Sequence, residues 1–234
     1  MIQLPWLDPT DSIHFPNTSE ALDFPNGLLA IGGKLSPEWL LKAYALGVFP
    51  WFNEDEPILW WSPSPRSIIY IDQLHISRRL QKTLRKKIYQ ITFDTEFAQV
   101  INACSKPRLQ QEEAETWISR DIIDVYTQLH QQSYAHSVEV WENETLVGGV
   151  YGIALGKMFF GESMFSFRPN TSKIALFYLV EQLKKWHYVA IDCQVHSNHL
   201  ETLGATRIQR AQFEYLIKQH VTGVRDHWNT DLTL

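Results

Sequence analysis

The chain has 234 residues, with 21 Lys and Arg against 26 Asp and Glu, a formal net charge of -5 with histidine neutral. With 44% hydrophobic and 20% charged residues and no low-complexity tract, it is not a collagen, a coiled coil or a disordered tail. Cys104 and Cys193 cannot build a disulfide framework, and no apolar stretch approaches the roughly 20 residues that span a bilayer, so a globular, cytoplasmic chain without a membrane segment is expected.

The stretch to about Pro65 is rich in Pro, Gly and Trp. One helix is predicted in it: Ser36 suits the N-cap, Pro37 the first helical position, Leu40, Leu41 and Tyr44 form an apolar face, and Gly47 closes the end. The Ser-Pro-Ser-Pro run from Ser62 to Pro65 predicts a break, giving a small N-terminal domain, residues 1–64, and a larger one, residues 65–234. Beyond it, Ile76, Leu80, Leu84 and Ile88 predict a helix leading to a strand at Tyr89 to Phe93. Asp94 is expected to cap a helix carrying Phe97, Val100, Ile101 and Cys104, and a second helix holds Ile122, Ile123, Tyr126 and Leu129. From His136 to Phe167, alternation predicts three strands with turns near Asn143 and Gly156. A helix from Ser172 to Lys185, a buried strand from Tyr188 to Gln194 and a short helix ending at Gly204 follow. An antiparallel meander followed by a βα crossover predicts an α/β chain of the α+β type, a mixed sheet with helices on its faces.

Two glycine-rich stretches imitate phosphate loops and fail. In Gly27 to Ser36, Gly33 displaces the lysine of the pattern; Gly152 to Met158 is one residue short and lacks the Ser or Thr that holds magnesium. Turns and close backbone packing explain these glycines. Cys193, His196 and His199 stand three residues apart, a spacing that rotates around a helix and does not bring three zinc ligands to one point, so no metal is expected. A cysteine inside an apolar strand reads as a small buried hydrophobe.

The run Ser77 to Lys87 carries Arg78, Arg79, Lys82, Arg85, Lys86 and Lys87 with no acid. On a helix it gives one buried stripe and one positive face. A solvated surface helix is the plain reading; on an otherwise acidic chain the same face can draw in phosphates. Trp51, Trp60, Trp61 and Trp117 lie in Pro-containing or turn-like contexts, where a flat ring is either a packed structural group or a stacking platform for a base. The most informative residues are polar groups set in apolar runs. Glu162 interrupts MFFGESMF, and Asp192 and Gln194 end YVAIDCQ. An acid so placed costs free energy unless paired or functional. It caps a loop amide, meets a nearby arginine, or belongs to a shared cleft.

The segments PNGLLAIGG with LSPEWLLKAYALGVFPWF, PILWWSPSPR, HISRRL, TWIS, AHSVEVW, LVGGVYG, FFGESMFS, IDCQ and HLETLGA run from about Phe15 to Arg210 and closely resemble the bacterial leucyl/phenylalanyl-tRNA-protein transferases. The resemblance implies an enzyme that moves Leu, Phe or, less well, Met from aminoacyl-tRNA to the α-amine of proteins beginning with Arg or Lys, marking them for N-end rule degradation. It implies no ATP, metal or other cofactor, and a C-terminal domain of the acetyltransferase-like (GNAT) fold. No interface patch is legible, so a monomer is expected. Matched onto this chain, Asp192 and Gln194 fall at the reaction centre and Glu162 at a nearby functional acid. Trp51 and Trp117 fall around the terminal adenosine, and Val150, Phe159, Leu176 and Leu179 at or near the pocket for the transferred side chain. Arg78, Arg79, Lys82, Arg85 and Lys86 are read as the tRNA-binding face. Lys34, Ser64, Phe167 and Gln209 depart from the family pattern, with Arg168 following Phe167 where an arginine is usual.

Aminolysis of an activated ester is downhill. An α-amine with a pKa of about 7.7–8.0 is partly neutral at neutral pH, and an amide such as Gln194 is a poor base. Asp192 is therefore expected to fix the Gln194 side-chain amide, whose carbonyl oxygen accepts a hydrogen bond from the attacking amine; a general-base role is the alternative. Acceptor choice needs an acid, either Glu162 or the group Glu112, Glu113 and Glu115. Two other classes remain: a CoA-dependent acetyltransferase, for which the glycine-rich pyrophosphate loop is missing between meander and helix, and a noncatalytic aminoacyl-tRNA binding module, which would not need Asp192 or Gln194.

Overall fold

The computed structural model describes residues 4–106, 116–221 and 228. Up to residue 61 the chain forms β1 (Trp6–Leu7), β2 (Leu28–Gly32), α1 (Pro37–Tyr44), β3 (Phe49–Pro50) and β4 (Leu59–Trp61). The four strands make a sheet in the order β1-β2-β4-β3, with β1 parallel to β2 and the other pairs antiparallel. The sequence reading has α1 but none of these strands, because segments of two to five residues are too short to display alternation. Ser36 does occupy the N-cap of α1 in extended backbone, yet its hydroxyl donates to Glu38 at 2.8 Å and caps no amide.

From residue 66 the elements are β5 (Arg66–Tyr70), α2 (Arg78–Arg85), β6 (Gln90–Phe93), α3 (Phe97–Cys104), α4 (Arg120–Gln131), β7 (Ala135–Glu142), β8 (Thr145–Leu155), β9 (Met158–Ser166), α5 (Thr171–Lys185), β10 (Ala190–Asp192), α6 (Asn198–Glu201), β11 (Thr206–Ile208) and α7 (Arg210–His220). Their strands form one mixed sheet in the order β11-β5-β10-β9-β8-β7-β6. The β7–β9 meander is present, with turns at Asn143 and Glu144, both at positive φ, and at Gly156. Through α5 the chain crosses to β10, which lies parallel to β9. This is the mixed sheet with flanking helices that the element order predicts. β5, the first strand after the Ser62 to Pro65 run, is inserted antiparallel between β10 and β11.

Two local expectations are corrected and one helix is added. Asp94 does not cap α3: at φ 53 it turns back, so that its Oδ1 accepts from the Ser137 amide at 2.8 Å and its Oδ2 lies 2.7 Å from His136 Nδ1. α2 ends at Arg85, and Ile88, counted on its apolar stripe, is 56% exposed. α7 was not legible at all; it begins with a capping box between Gln209 and Gln212 and buries Phe213 and Ile217.

The sheet has two dressed faces. On one, α1, α3, α4 and α7 pack with the N-terminal strands, bringing Trp39, Tyr44 and Trp60 into a common core with Ile101, Tyr126, Tyr151, Phe160 and Phe213. Trp60 is fully buried there, stacked 6.1 Å from Trp39, with its indole N–H donated to the Gly32 carbonyl at 2.9 Å. On the other, α2 and α5 cover Ile69, Val138, Val150 and Phe159 with Leu80, Leu176 and Leu179.

The phosphate-loop imitations resolve as close packing. At Gly152 a methyl group would stand 2.1 Å from the Phe160 carbonyl oxygen and 2.6 Å from the Phe159 ring. At Gly27, with φ +91, it would stand 2.4 Å from the Pro63 backbone. Gly152→Ala is therefore expected to destabilise the fold by about 1–3 kcal/mol through overpacking. Gly161→Ala, whose methyl would meet Ile191 at an ordinary 3.4 Å, should change it far less. Equal denaturation midpoints for the two variants would contradict this.

Candidate active site

Glu162 owes its place to an irregularity of β9. Along the β8–β9 pair, Tyr151 faces Ser163 but Gly152 faces Gly161, so Glu162 is the extra residue of a bulge. The bulge resets the alternation: Phe160 and Phe165, five positions apart, belong to the same core face, while Met164 packs on the other. Glu162 is left half-buried at the rim of the tyrosine-lined face.

Two phenols meet it. Tyr44 of α1 donates to Glu162 Oε1 at 2.7 Å and Tyr126 of α4 to Oε2 at 3.0 Å, and the two hydroxyl oxygens are themselves 2.5 Å apart. Each phenol carries one proton, so when both donate to the carboxylate the Tyr44–Tyr126 contact is left without one. All three contacts are bridged when Glu162 itself is protonated. The electrostatics agree. Burial, opposed by the tyrosine hydrogen bonds and the Arg66 charge and aided by Asp192, raises the Glu162 carboxyl from an ordinary 4.5 to about 7. Burial and the Glu162 charge hold the phenols of Tyr44, Tyr126 and Tyr151 well above their usual value, so they stay protonated donors.

Beside this acid sits a buried ion pair. Arg66, at the start of β5, and Asp192, at the end of β10, are 1% and 0% exposed and form a forked contact, Nε to Oδ1 at 2.8 Å and Nη2 to Oδ2 at 2.7 Å. The guanidinium carbon lies 4.8 Å from the Phe49 ring centre and 4.5 Å from that of Phe213. Asp192 Oδ1 also accepts from the Gln194 amide at 3.0 Å, and Gln194 takes the left-handed φ of 53. Here the expected contact is corrected: Asp192 holds the backbone of Gln194, not its side-chain amide. That amide instead donates to Glu162 Oε1 at 3.4 Å, which leaves its carbonyl oxygen as the group open to a substrate donor.

Glu162, Asp192 and Gln194 are thus brought together as the sequence predicts. Arg66, Tyr44 and Tyr126 were missed as partners. Tyr44 and Tyr126 sit on apolar helix faces and were counted there, although a buried phenol needs a partner. Arg66 heads the apolar run SIIYI, and the reasoning that singled out Asp192 applies to it equally.

The remaining candidates distribute around this centre. Trp51, 45% exposed, lines a cavity of about 280 Å³ with Asn26, Phe49, Trp61, His196 and Arg207. Trp61 is half-buried and donates its indole N–H to the Trp51 carbonyl at 2.6 Å. Trp117 does not line that cavity; it is half-buried just before α4 against the core of the tyrosine face. Val150, Phe159, Leu176 and Leu179 come together, 1–5% exposed, on the opposite face of the sheet beneath α5. Arg78, Arg79, Lys82, Arg85 and Lys86 are all exposed on and just after α2, while Leu80 is buried and Leu84 half-buried. Arg168 donates to Glu142 at 3.0 Å. Two departures from the family pattern meet: Ser64 Oγ donates to Gln209 Oε1 at 3.4 Å and accepts from the Arg210 amide at 3.2 Å. Glu112, Glu113 and Glu115 lie outside the described residues. Among the described residues no group of three or more His, Cys, Asp and Glu is placed to hold a metal, and no helix is long and apolar enough to cross a membrane. The Cys193 thiol is pushed well above its ordinary range, by desolvation first and the Asp192 charge second, which suits a packed hydrophobe and not a nucleophile.

Comparison with known proteins gives a consistent result. The family model described as leucyl/phenylalanyl-tRNA protein transferase matches residues 68–218, and the model of that family's N-terminal domain matches residues 33–64. The chain is 56% identical, over 97% of its own length and 96% of the relative's, to the leucyl/phenylalanyl-tRNA–protein transferase of Cellvibrio japonicus. It is 52% identical, over 93% and 95%, to that of Pseudomonas fluorescens strain SBW25, and 44% identical, over 98% and 97%, to that of Saccharophagus degradans. Likenesses among solved structures are distant. The structure of L-PGS from Bacillus licheniformis matches at a TM-score of 0.37 with 15% identity, over 64% of this chain and 47% of that one, too remote to bear on function.

The raised Glu162 carboxyl has a consequence for stability. The folded chain keeps a proton that the unfolded chain releases near 4.5, so the stabilisation is complete below about pH 4.5 and is lost as pH rises through about 7. Glu162→Gln keeps a neutral group there at every pH. The stability difference between wild type and Glu162→Gln, followed by chemical denaturation from pH 4 to 8, should move steadily in the variant's favour; a difference independent of pH would refute the raised carboxyl.

Proposed function

The chain belongs to the leucyl/phenylalanyl-tRNA–protein transferase family and is an aminoacyltransferase; from that premise we propose that it moves Leu, Phe and, less well, Met from aminoacyl-tRNA to the α-amine of proteins beginning with Arg or Lys. In this reading it is a cytoplasmic monomer marking proteins for N-end rule degradation. It is built of a small N-terminal domain, residues 1–64, and a GNAT-like catalytic domain, residues 65–234.

The observation that carries the reading is the adjacency of an acid and an amide: the Gln194 side-chain N–H is donated to Glu162, which Tyr44 and Tyr126 hold in place. A basic N-terminal side chain meets Glu162 in its ionised form, which the incoming cation favours over the protonated one, and the α-amine that precedes it meets the free carbonyl oxygen of Gln194. The amine nitrogen attacks the ester carbonyl carbon, the new C–N bond forms and the bond to the ribose oxygen breaks; the proton lost by the amine ends on that ribose oxygen. The ester is already activated and the amine partly neutral, so neither ATP nor a strong base is called on. Placement of the two reactants can supply up to about 7–11 kcal/mol of the barrier. Asp192, fully buried with its oxygens engaged by Arg66 and Gln194, supports this arrangement from behind and does not touch substrate.

On the donor side, Trp51 and Trp117 are assigned to the terminal adenosine, and Val150, Phe159, Leu176 and Leu179 to the transferred side chain. Apolar pockets discriminate by only about 1–3 kcal/mol per methylene, which accounts for leakage to Met. The exposed face of Arg78, Arg79, Lys82, Arg85 and Lys86 tracks tRNA phosphates at a distance from the reacting atoms.

Labelled Phe should pass from Phe-tRNA to a peptide beginning with Arg, in EDTA and without ATP, and not to the same peptide beginning with Ala. Labelling of neither, with intact Phe-tRNA and folded protein, would turn the reading toward a binding module or an acetyltransferase. Replacing the five cations of the basic face by Gln should raise KM for Phe-tRNA at least tenfold and flatten its dependence on salt, with kcat changed no more than about twofold to threefold. An unchanged KM and salt slope would make that helix a solvated surface.

A further inference from the structure

We propose that Arg66 is a positioning residue of the transfer reaction: packed over the rings of Phe49 and Phe213, it fixes Asp192, and Asp192 fixes the Gln194 backbone in the turn that carries its side chain to Glu162. The inference rests on the reading above for what Gln194 does, and adds a residue to which no role was assigned.

The chain of contacts is continuous. Asp192 Oδ1 is shared between Arg66 Nε at 2.8 Å and the Gln194 amide at 3.0 Å, so any shift of the guanidinium is passed to the amide through one atom. The strand bearing Arg66 frames Gln194 a second time through Ser67, whose amide donates to the Gln194 carbonyl at 3.2 Å and whose carbonyl accepts from the Cys193 amide at 2.9 Å. Between those anchors Gln194 adopts φ 53, a left-handed conformation that a glutamine does not take without support. Its side-chain amide then reaches Glu162 Oε1.

The chemistry requires arginine. A planar fork is needed to meet both Asp192 oxygens, and a flat, weakly hydrated cation suits packing over two phenyl rings; lysine offers a single point charge. Stability alone is a poor explanation of the residue. Among the described residues the buried Arg66 Nη1 has no hydrogen-bond partner, and a well-packed apolar pair often matches a buried ion pair in stability. What the apolar pair cannot supply is the acceptor that holds the Gln194 amide.

The test is a double-mutant cycle in single-turnover transfer from Phe-tRNA to an Arg-initiated peptide, with Arg66→Lys, Gln194→Ala and the double variant. Arg66→Lys is expected to lower the transfer rate about tenfold to a hundredfold, with the half-saturating Phe-tRNA concentration within about threefold of wild type. In the Gln194→Ala background the same change should cost no more than about threefold. Equal costs in the two backgrounds, or a folded Arg66→Lys at the wild-type rate, would overturn the proposal. Should Arg66→Lys fail to fold, the pair Arg66→Met with Asp192→Leu removes both charges together and serves instead, with a folded chain and a comparable loss of rate expected and wild-type transfer overturning the idea. Hydrogen exchange at the Gln194 amide should quicken at least tenfold in either variant, whether or not the wild type transfers Phe. Unchanged exchange there would sink the positioning role even if the reading of the reaction held, and wild-type inactivity with quickened exchange would instead count against that reading alone.

Discussion

A forked ion pair between the first residue of β5 and the last residue of β10, sealed from water, is the contact around which the candidate site is arranged. Removing one member of such a pair typically costs about 3–5 kcal/mol, because the other charge is left buried and alone. The elements around it look different once that cost is in view. The Phe49 ring of the N-terminal sheet and the Phe213 ring of α7 both pack against the guanidinium. Segments from the two ends of the chain are therefore needed to keep water from a charge that lies between them in sequence.

The large sheet also acts as a partition. Tyrosines and a titrating acid occupy the face shared with α1 and α4, and an apolar cluster beneath α5 occupies the other. β9 serves both, since its bulge lets Phe159 and Met164 point to one face while Phe160 and Phe165 point to the other across an odd number of residues. A regular strand would have sent one half of that set to the wrong face.

How much of this was legible follows from what each signal needs. The meander, α4 and α5 span enough residues for periodicity to speak, and they were read nearly to their ends. β1 to β4 are fragments whose existence depends on one another, and nothing local marks them. At the site, Glu162 and Asp192 were visible because an acid in an apolar run is an anomaly wherever it pairs. Arg66, a charge at the head of an apolar run, is the same anomaly and was passed over; what the letters do not carry is the pairing, since the two partners lie 126 positions apart and nothing in either segment names the other. The asymmetry at Gln194 is similar: its place at the reaction centre came through resemblance, while the fact that Asp192 grips its backbone is a matter of angles that a string of letters does not carry. Asp94 shows the converse, a residue whose type fits a cap and whose backbone turns the side chain to His136.

The insertion of β5 between β10 and β11 sets an order of events during synthesis. A ribosome completes β5 long before either of its neighbours exists, so for most of translation the strand has two open edges and an arginine without its carboxylate. Neighbours that arrive so late make for long-range pairing, which is slow to form and exposed to wrong partners in the interval. The β7–β9 meander, by contrast, is assembled from adjacent segments and can close as it emerges. Glu162 thus arrives within a sheet half that builds itself, and Gln194 beside it waits for the last third of the chain to reach back to the first.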